Sequence, residues 1–184
     1  MYALSQSFGF KGKFPNVSDD CFIAPGVCLV GDVMISEGAA VWYNSVLRGD
    51  DNYIRIGKYS NIQDGTIVHA DSGRGSGLPN GLPTIVGDYV SVGHNCVLHA
   101  CTIEDACLIG MSAVVMDGAV IGKGSIVAAG TVVTKGTIIP PLSVVIGIPS
   151  KVIKTLPEES LNERIDHAKH YYRLAMENKE SLGL

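Results

Sequence analysis

The chain is 184 residues long, 46% hydrophobic and 17% charged, a balance that supplies one globular domain with a sizeable core and leaves too little for a second. A net charge of −4 offers no basic field to phosphate backbones or anionic lipid, which argues against nucleic acid and membrane as partners and fits a small neutral or anionic substrate. The N-terminus shows no signal-like apolar run, no transmembrane-length apolar stretch occurs, and the five cysteines are odd in number without paired spacing, so a cytoplasmic, reducing setting is expected.

From Val17 onward an aliphatic residue recurs every sixth position, at Val17, Ile23, Leu29, Ile35, Val41 and Leu47. Three extra residues precede Ile56, Ile62 and Val68; a longer break precedes Val86, Val92 and Leu98. After a slip of one, the series runs from Ile103 to Val145 in steps of six, so that all twenty positions are Ile, Leu or Val. Four residues after most of these comes a small or short side chain, as at Cys21, Ala39, Ser45, Thr66, Cys96, Ala113 and Ser125, and glycine recurs beside one or the other. A period of six matches neither the helical 3.6 nor simple strand alternation, and instead describes a short strand plus a turn of fixed length. The fold expected is all-β, a parallel β-helix of triangular section. Eighteen residues make one coil, and about seven coils at roughly 4.8 Å spacing build a prism on the order of 30 Å long. In it the aliphatic and the small residue point inward, and glycine takes corners that need positive φ.

Ser72 to Pro83 interrupts the repeat with glycines and prolines and reads as an extruded loop, placed to act as a lid. The repeat ends after Pro149. Thr155 to Glu158 has the form of a capping box, and Leu161, Ile165, Ala168, Tyr172 and Ala175 follow at helical spacing, which predicts an amphipathic terminal helix packing along the prism or against a neighbour. The expected division is residues 1–153 for the β-helix and 154–184 for the helical segment.

Three of the five histidines, His69, His94 and His99, lie within the repeat. Val68 to Leu98 spans one coil plus the loop, so His69 and His99, each one residue past an inward aliphatic, fall at equivalent places on adjacent coils. That spacing lets two imidazoles share an ion at metal–nitrogen distances of about 2.0–2.1 Å. His94 follows Val92 by two and sits around a corner, out of reach of the same point within its own chain. Three-fold packing of prisms would bring it to the pair on a neighbour. Three histidines with an open fourth position make a catalytic rather than a structural zinc site. Cys21, Cys96 and Cys107 take the small inward position and read as core. His167 and His170 read as a solvated helix face, and Trp42 as packing at an interface or under the N-terminal coil.

These histidines, with R-G-D at Arg48 to Asp50 and N-I-Q-D-G at Asn61 to Gly65, closely resemble the γ-class carbonic anhydrases of the bacterial hexapeptide-repeat proteins, from Phe14 to the terminal helix. The resemblance implies a left-handed β-helix with a C-terminal α-helix, assembled as a homotrimer. It implies Zn2+, or alternatively Fe2+ or Co2+, at each interface, and reversible hydration of CO2 to bicarbonate by metal-bound hydroxide. The metal ligands would be His69 and His99 of one subunit and His94 of the next. Gln63 matches the family glutamine that bonds the hydroxide, and Asn61 lies beside it. Arg48, Asp50 and Asp64 match residues paired across the interface. Asp51 stands where the characterised archaeal enzyme has a proton-relay glutamate, the loop carries Arg74 and no acid, and Val144 and Val145 occupy a region where some bacterial relatives have a tyrosine. Two further readings are an acyl-coenzyme A-dependent acyltransferase of the hexapeptide class, with one histidine as general base, and a non-catalytic trimer stapled by metal.

Overall fold

A computed structural model describes residues 5–74 and 79–184; the first four residues and positions 75–78 of the expected loop lie outside the described residues. The chain forms the expected parallel β-helix. On one face the strands climb from Phe22–Ile23 through Ala40–Val41, Asn61–Ile62, Ser91–Val92, Leu108–Ile109 and Ile126–Val127 to Ser143–Ile146, each hydrogen-bonded in parallel to the next. The other two faces merge into one twisted sheet, because Cys28–Ile35 and Val46–Ile56 run on around a corner. Beyond the repeat, Lys151–Thr155 folds back antiparallel on Ser143–Ile146, a strand that the periodicity did not indicate.

Of the twenty periodic aliphatics, all are buried except Val17 and Ile23, which are half-buried at the open N-terminal end. Each buried side chain contributes about 1.5–3 kcal/mol of transfer free energy. This stacked column, rather than hydrogen bonding, is what selects the six-residue register. Glycine serves two distinct needs. Gly65 turns a corner at φ +68°, as expected. Gly110 is required for close approach, because a Cβ there would lie 2.4 Å from the backbone nitrogen of Ala129 on the next coil.

The two interruptions are the features that matter for the site. Gly31 pairs with Gly49 and Val33 with Ile54, so Asp32 alone faces the stretch from Asp50 to Tyr53, which bulges outward and carries Asp50 and Asp51 toward the next coil. The longer excursion is closed at its base by paired backbone hydrogen bonds between Asp71 and Leu82, of 2.9 and 3.0 Å.

The terminal helix, Leu161–Leu182, ends at Gly183 in the left-handed conformation and lies along its own prism, against the strands at 22–23, 40–41, 61–62 and 91–92. Its entry differs from expectation. Thr155 belongs to the antiparallel strand, a 3₁₀ turn covers Glu158–Ser160, and no side chain caps the helix. Ser160 Oγ instead donates to the Pro157 carbonyl and accepts from Arg164. The inward stripe is also rotated: Ala168 and Ala175 are buried as expected, but Arg164 is buried in place of Ile165. Two alanines let the helix backbone come close to the sheet, and the turn so chosen carries Arg164 inward. Trp42 lies between this helix and the first coil, edge-on to Tyr171 at 5.8 Å and to Phe22 at 5.3 Å.

Candidate metal centre

Strand register places Arg48 beside His69 and His69 beside His99, a column one coil apart on one face. The two imidazoles tilt toward each other, with ring centroids 5.1 Å apart and planes at 54°, and His69 Nδ1 faces His99 Nε2 at 3.2 Å. Each ring's other nitrogen meets a carboxylate. His69 Nε2 lies 3.2 Å from Asp50 and 3.7 Å from Asp51 on the bulge, while His99 Nδ1 lies 3.0 Å from Asp117. Asp117 was not foreseen. Leu98 pairs with Val115, so an aspartate two residues past Val115 emerges next to the residue after Leu98, and the slipped register hid that relation.

His94 stands around the corner as expected, on the face of strand Ser91–Val92, with Nδ1 2.7 Å from Asp64. It shares a cleft of about 260 Å³ with Gln63, Met111, His167 and Tyr171. Under the terminal helix, Gln63 Nε2 donates to Asn61 Oδ1 at 3.1 Å, and Asn61 Nδ2 donates to Ser91 Oγ at 2.8 Å. A single chain thus carries two separate clusters, one with His69, His99, Asp50, Asp51 and Arg48, the other with His94, Asp64, Gln63 and Asn61. Within the chain, Arg48 grips both oxygens of Asp50 at 2.8 and 2.9 Å, and Asp64 is engaged by His94.

The donor set suits a divalent metal. Two nitrogens bound at about 2.0–2.1 Å with a near-tetrahedral angle stand about 3.3–3.4 Å apart, close to the 3.2 Å between His69 and His99. All three histidines also pair one nitrogen with a carboxylate and keep the other off it, in His69 and His99 turned toward each other, the pattern that fixes tautomer and raises ligand basicity in metal sites. Burial, reinforced by Arg48, holds the His69 pKa below its usual 6.5 despite Asp50, so the ring is neutral at pH 7. Burial opposes ionisation of Asp50, but hydrogen bonds from Arg48 and His69 outweigh it and lower its pKa. Among the described residues, Asp50, Asp51 and His69 also form a cluster whose ligand atoms lie within 4.8 Å of one another. Asp50 is already taken by Arg48, which makes that side of His69 the weaker place for an ion.

Cys21, Cys96 and Cys107 are buried in the core, as expected. Burial pushes the thiols of Cys21 and Cys96 up to about 11 and that of Cys107 to about 12, far from thiolate chemistry. Both helix histidines are exposed, as expected, but one of them also finds a partner on the prism. His167 turns toward the prism, with Nδ1 2.9 Å from Ser91 Oγ, and its pKa is lowered by burial and then by the nearby His170.

Comparison with known proteins gives three findings. A family model described as Dynactin subunit 5 matches residues 15–178. Among curated proteins, "Probable carbonic anhydrase" of Methanocaldococcus jannaschii is 53% identical over 159 residues, 86% of this chain and 95% of that protein. "Gamma carbonic anhydrase 2, mitochondrial" of Arabidopsis thaliana is 43% identical over 163 residues, 89% of this chain but only 58% of that longer protein. Among solved structures, a Bacillus cereus protein described as a candidate acetyltransferase superposes with a TM-score of 0.88 at 34% identity, covering 96% of this chain and 98% of its own.

Proposed function

Because the chain belongs to the γ-carbonic anhydrases and also matches the family model described as Dynactin subunit 5, we propose that it is a metal-dependent hydratase interconverting CO2 and bicarbonate. The working unit is a homotrimer in the cytoplasm, and each site joins the His69 and His99 half of one subunit to the His94 half of the next. The observation that supports this is the second nitrogen on each of three carboxylate-held histidines, two of which face each other at 3.2 Å. Zn2+, or Fe2+ or Co2+, is the group these residues suit, and such an ion supplies Lewis acidity that brings the pKa of water to about 7.

The protein's own residues supply the rest. Asp50, Asp64 and Asp117 hold the imidazole rings in orientation and tautomer. Arg48 keeps Asp50 ionised and in place. Gln63, anchored through its amide nitrogen to Asn61, keeps its carbonyl oxygen for the cleft that holds His94, where it can accept a hydrogen bond from the reacting water and so direct an oxygen lone pair at CO2. Hydration releases a proton, and Asp51, half-exposed and 3.7 Å from His69, is the carboxylate placed to receive it and pass it to solvent.

Elemental analysis and stopped-flow CO2 hydration test this reading together. About one metal per chain and turnover that falls to background in both His94→Ala and His99→Ala are expected. Retention of one metal per chain after His94→Ala would reject the shared site. The description of the Bacillus cereus neighbour favours a second reading, acyl transfer from acyl-coenzyme A with a histidine as general base. That chemistry needs one basic imidazole and leaves the paired rings without a task. Acetyl-coenzyme A consumption by metal-free protein would support it over hydration.

A further inference from the structure

We propose that His167, on the terminal helix, is a positioning residue that sets which end of the Gln63 side-chain amide faces the active-site cleft, acting through Ser91 and Asn61. The proposal rests on the role given to Gln63 above and adds what controls it. The four side chains form one hydrogen-bonded chain: Gln63 Nε2 to Asn61 Oδ1 at 3.1 Å, Asn61 Nδ2 to Ser91 Oγ at 2.8 Å, and Ser91 Oγ to His167 Nδ1 at 2.9 Å. Gln63, Asn61 and Ser91 are 4%, 1% and 2% exposed, so among these three water cannot easily replace a lost partner and each link constrains the next, while His167 closes the chain from the exposed side of the helix.

A chain of amides and a hydroxyl has two self-consistent directions. In one, His167 is neutral with its proton on Nε2, so Nδ1 accepts from the Ser91 hydroxyl. Ser91 then accepts from the Asn61 amide nitrogen, Asn61 Oδ1 accepts from Gln63 Nε2, and the Gln63 carbonyl oxygen is turned to the cleft. In the other, a proton on His167 Nδ1 is donated to Ser91, both amides flip, and Gln63 presents N–H instead. Between the two amides a mixed state sets two acceptors or two donors against each other in a buried place, which costs the desolvation penalty of an unmade bond, and Ser91 Oγ joins the same series when its own proton is given to His167. Burial and His170 lower the His167 pKa, which favours the neutral ring, and the tautomer with Nδ1 bare is the one that fits an Asn61 amide donating to Ser91 and a Gln63 amide donating to Asn61. The helix therefore selects an acceptor rather than a donor at the cleft, from a position that never touches substrate. Ser91 and His167 are 76 residues apart in sequence, and the repeat pattern alone gives no sign of the link.

Gln6 and Gln63 are the only glutamines and Trp42 the only tryptophan, which makes the test direct. Protein labelled with 15N in the glutamine side chain shows two NH2 pairs, with exposed Gln6 as internal reference. His167→Leu and Ser91→Ala are each expected to shift the Gln63 pair and remove its protection from solvent exchange. His167→Asn, whose amide oxygen can accept from Ser91 in place of Nδ1, is expected to restore both. CO2 hydration should follow the same order, with kcat about fivefold lower in His167→Leu, as for one lost hydrogen bond, KM unchanged, and recovery in His167→Asn. Trp42 emission, sensitive to Tyr171 on the helix, reports whether the helix stays docked; if His167→Leu undocks it, Ser91→Ala decides. An unmoved Gln63 pair in Ser91→Ala, or in His167→Leu with the helix docked, overturns the proposal. Wild-type protein without hydratase activity would instead defeat the reading of the site, and the NMR comparison would judge the hydrogen-bond chain on its own.

Discussion

Removing the carboxylate behind His99 probes the metal centre without touching a ligand. His99 Nδ1 lies 3.0 Å from Asp117, whose side chain is 20% exposed. Loss of such an outer partner typically costs 10- to 100-fold in metal affinity, about 1.4–2.7 kcal/mol. Partial exposure lets water take over some of the role, so Asp117→Ala is expected near the tenfold end. Asp117→Asn keeps an oxygen that can accept from Nδ1–H but loses the charge. Charge-assisted bonds are about twice as strong as neutral ones, so roughly half of the free energy and about a threefold weakening is expected. The assay is competition for Zn2+ between metal-stripped protein and a chromophoric chelator, with circular dichroism to confirm the β-helix. If Asp117→Ala binds within twofold of wild type while His99→Ala has lost binding, the carboxylate does not tune the ligand and the reasoning fails.

Other perturbations reach the fold and its protonation. Ile109→Ala, in a fully buried position on a middle coil, should lower stability by about 2–5 kcal/mol in urea unfolding. Gly110→Ala should cost about 1–3 kcal/mol or more, because its Cβ would press on the Ala129 backbone, and thermal denaturation would register the loss. His69 and His167 both have folded-state pKa values below 6.5, so the unfolded chain binds more protons as pH falls past 6.5. Metal-free protein should therefore hold full stability above that pH and lose it progressively below, and the His167→Asn variant should show a shallower decline.

Much of the architecture could be read from one dimension. Each coil repeats the same local problem of one large aliphatic and one small residue facing an axis, so the solution at Ile121 is the solution at Ile62, and a period in the letters becomes a period in space. The relation of His69 to His99 follows from the same arithmetic once the loop is subtracted. The capping box failed because Thr155 had a sheet edge to pair with, and the hydrogen bonds of the antiparallel strand outweighed a helix cap. The helical stripe was rotated because apolar spacing ranks Ile165 above Arg164, whereas two alanines and the shape of the sheet beneath set the closest approach.

By itself, then, the order of residues determined the parallel β-helix, the inward faces and the stacking of two histidines, because these depend on neighbours at fixed separations along the chain. Only the tertiary structure decided that Asp117 backs His99, that Trp42 lies beneath the terminal helix, and that His167 closes a buried chain of hydrogen bonds ending at Gln63. Those contacts join surfaces whose mutual placement is set by how a whole helix packs on a whole face. A buried polar group takes whichever partner that packing brings within reach, and no spacing in the sequence encodes it.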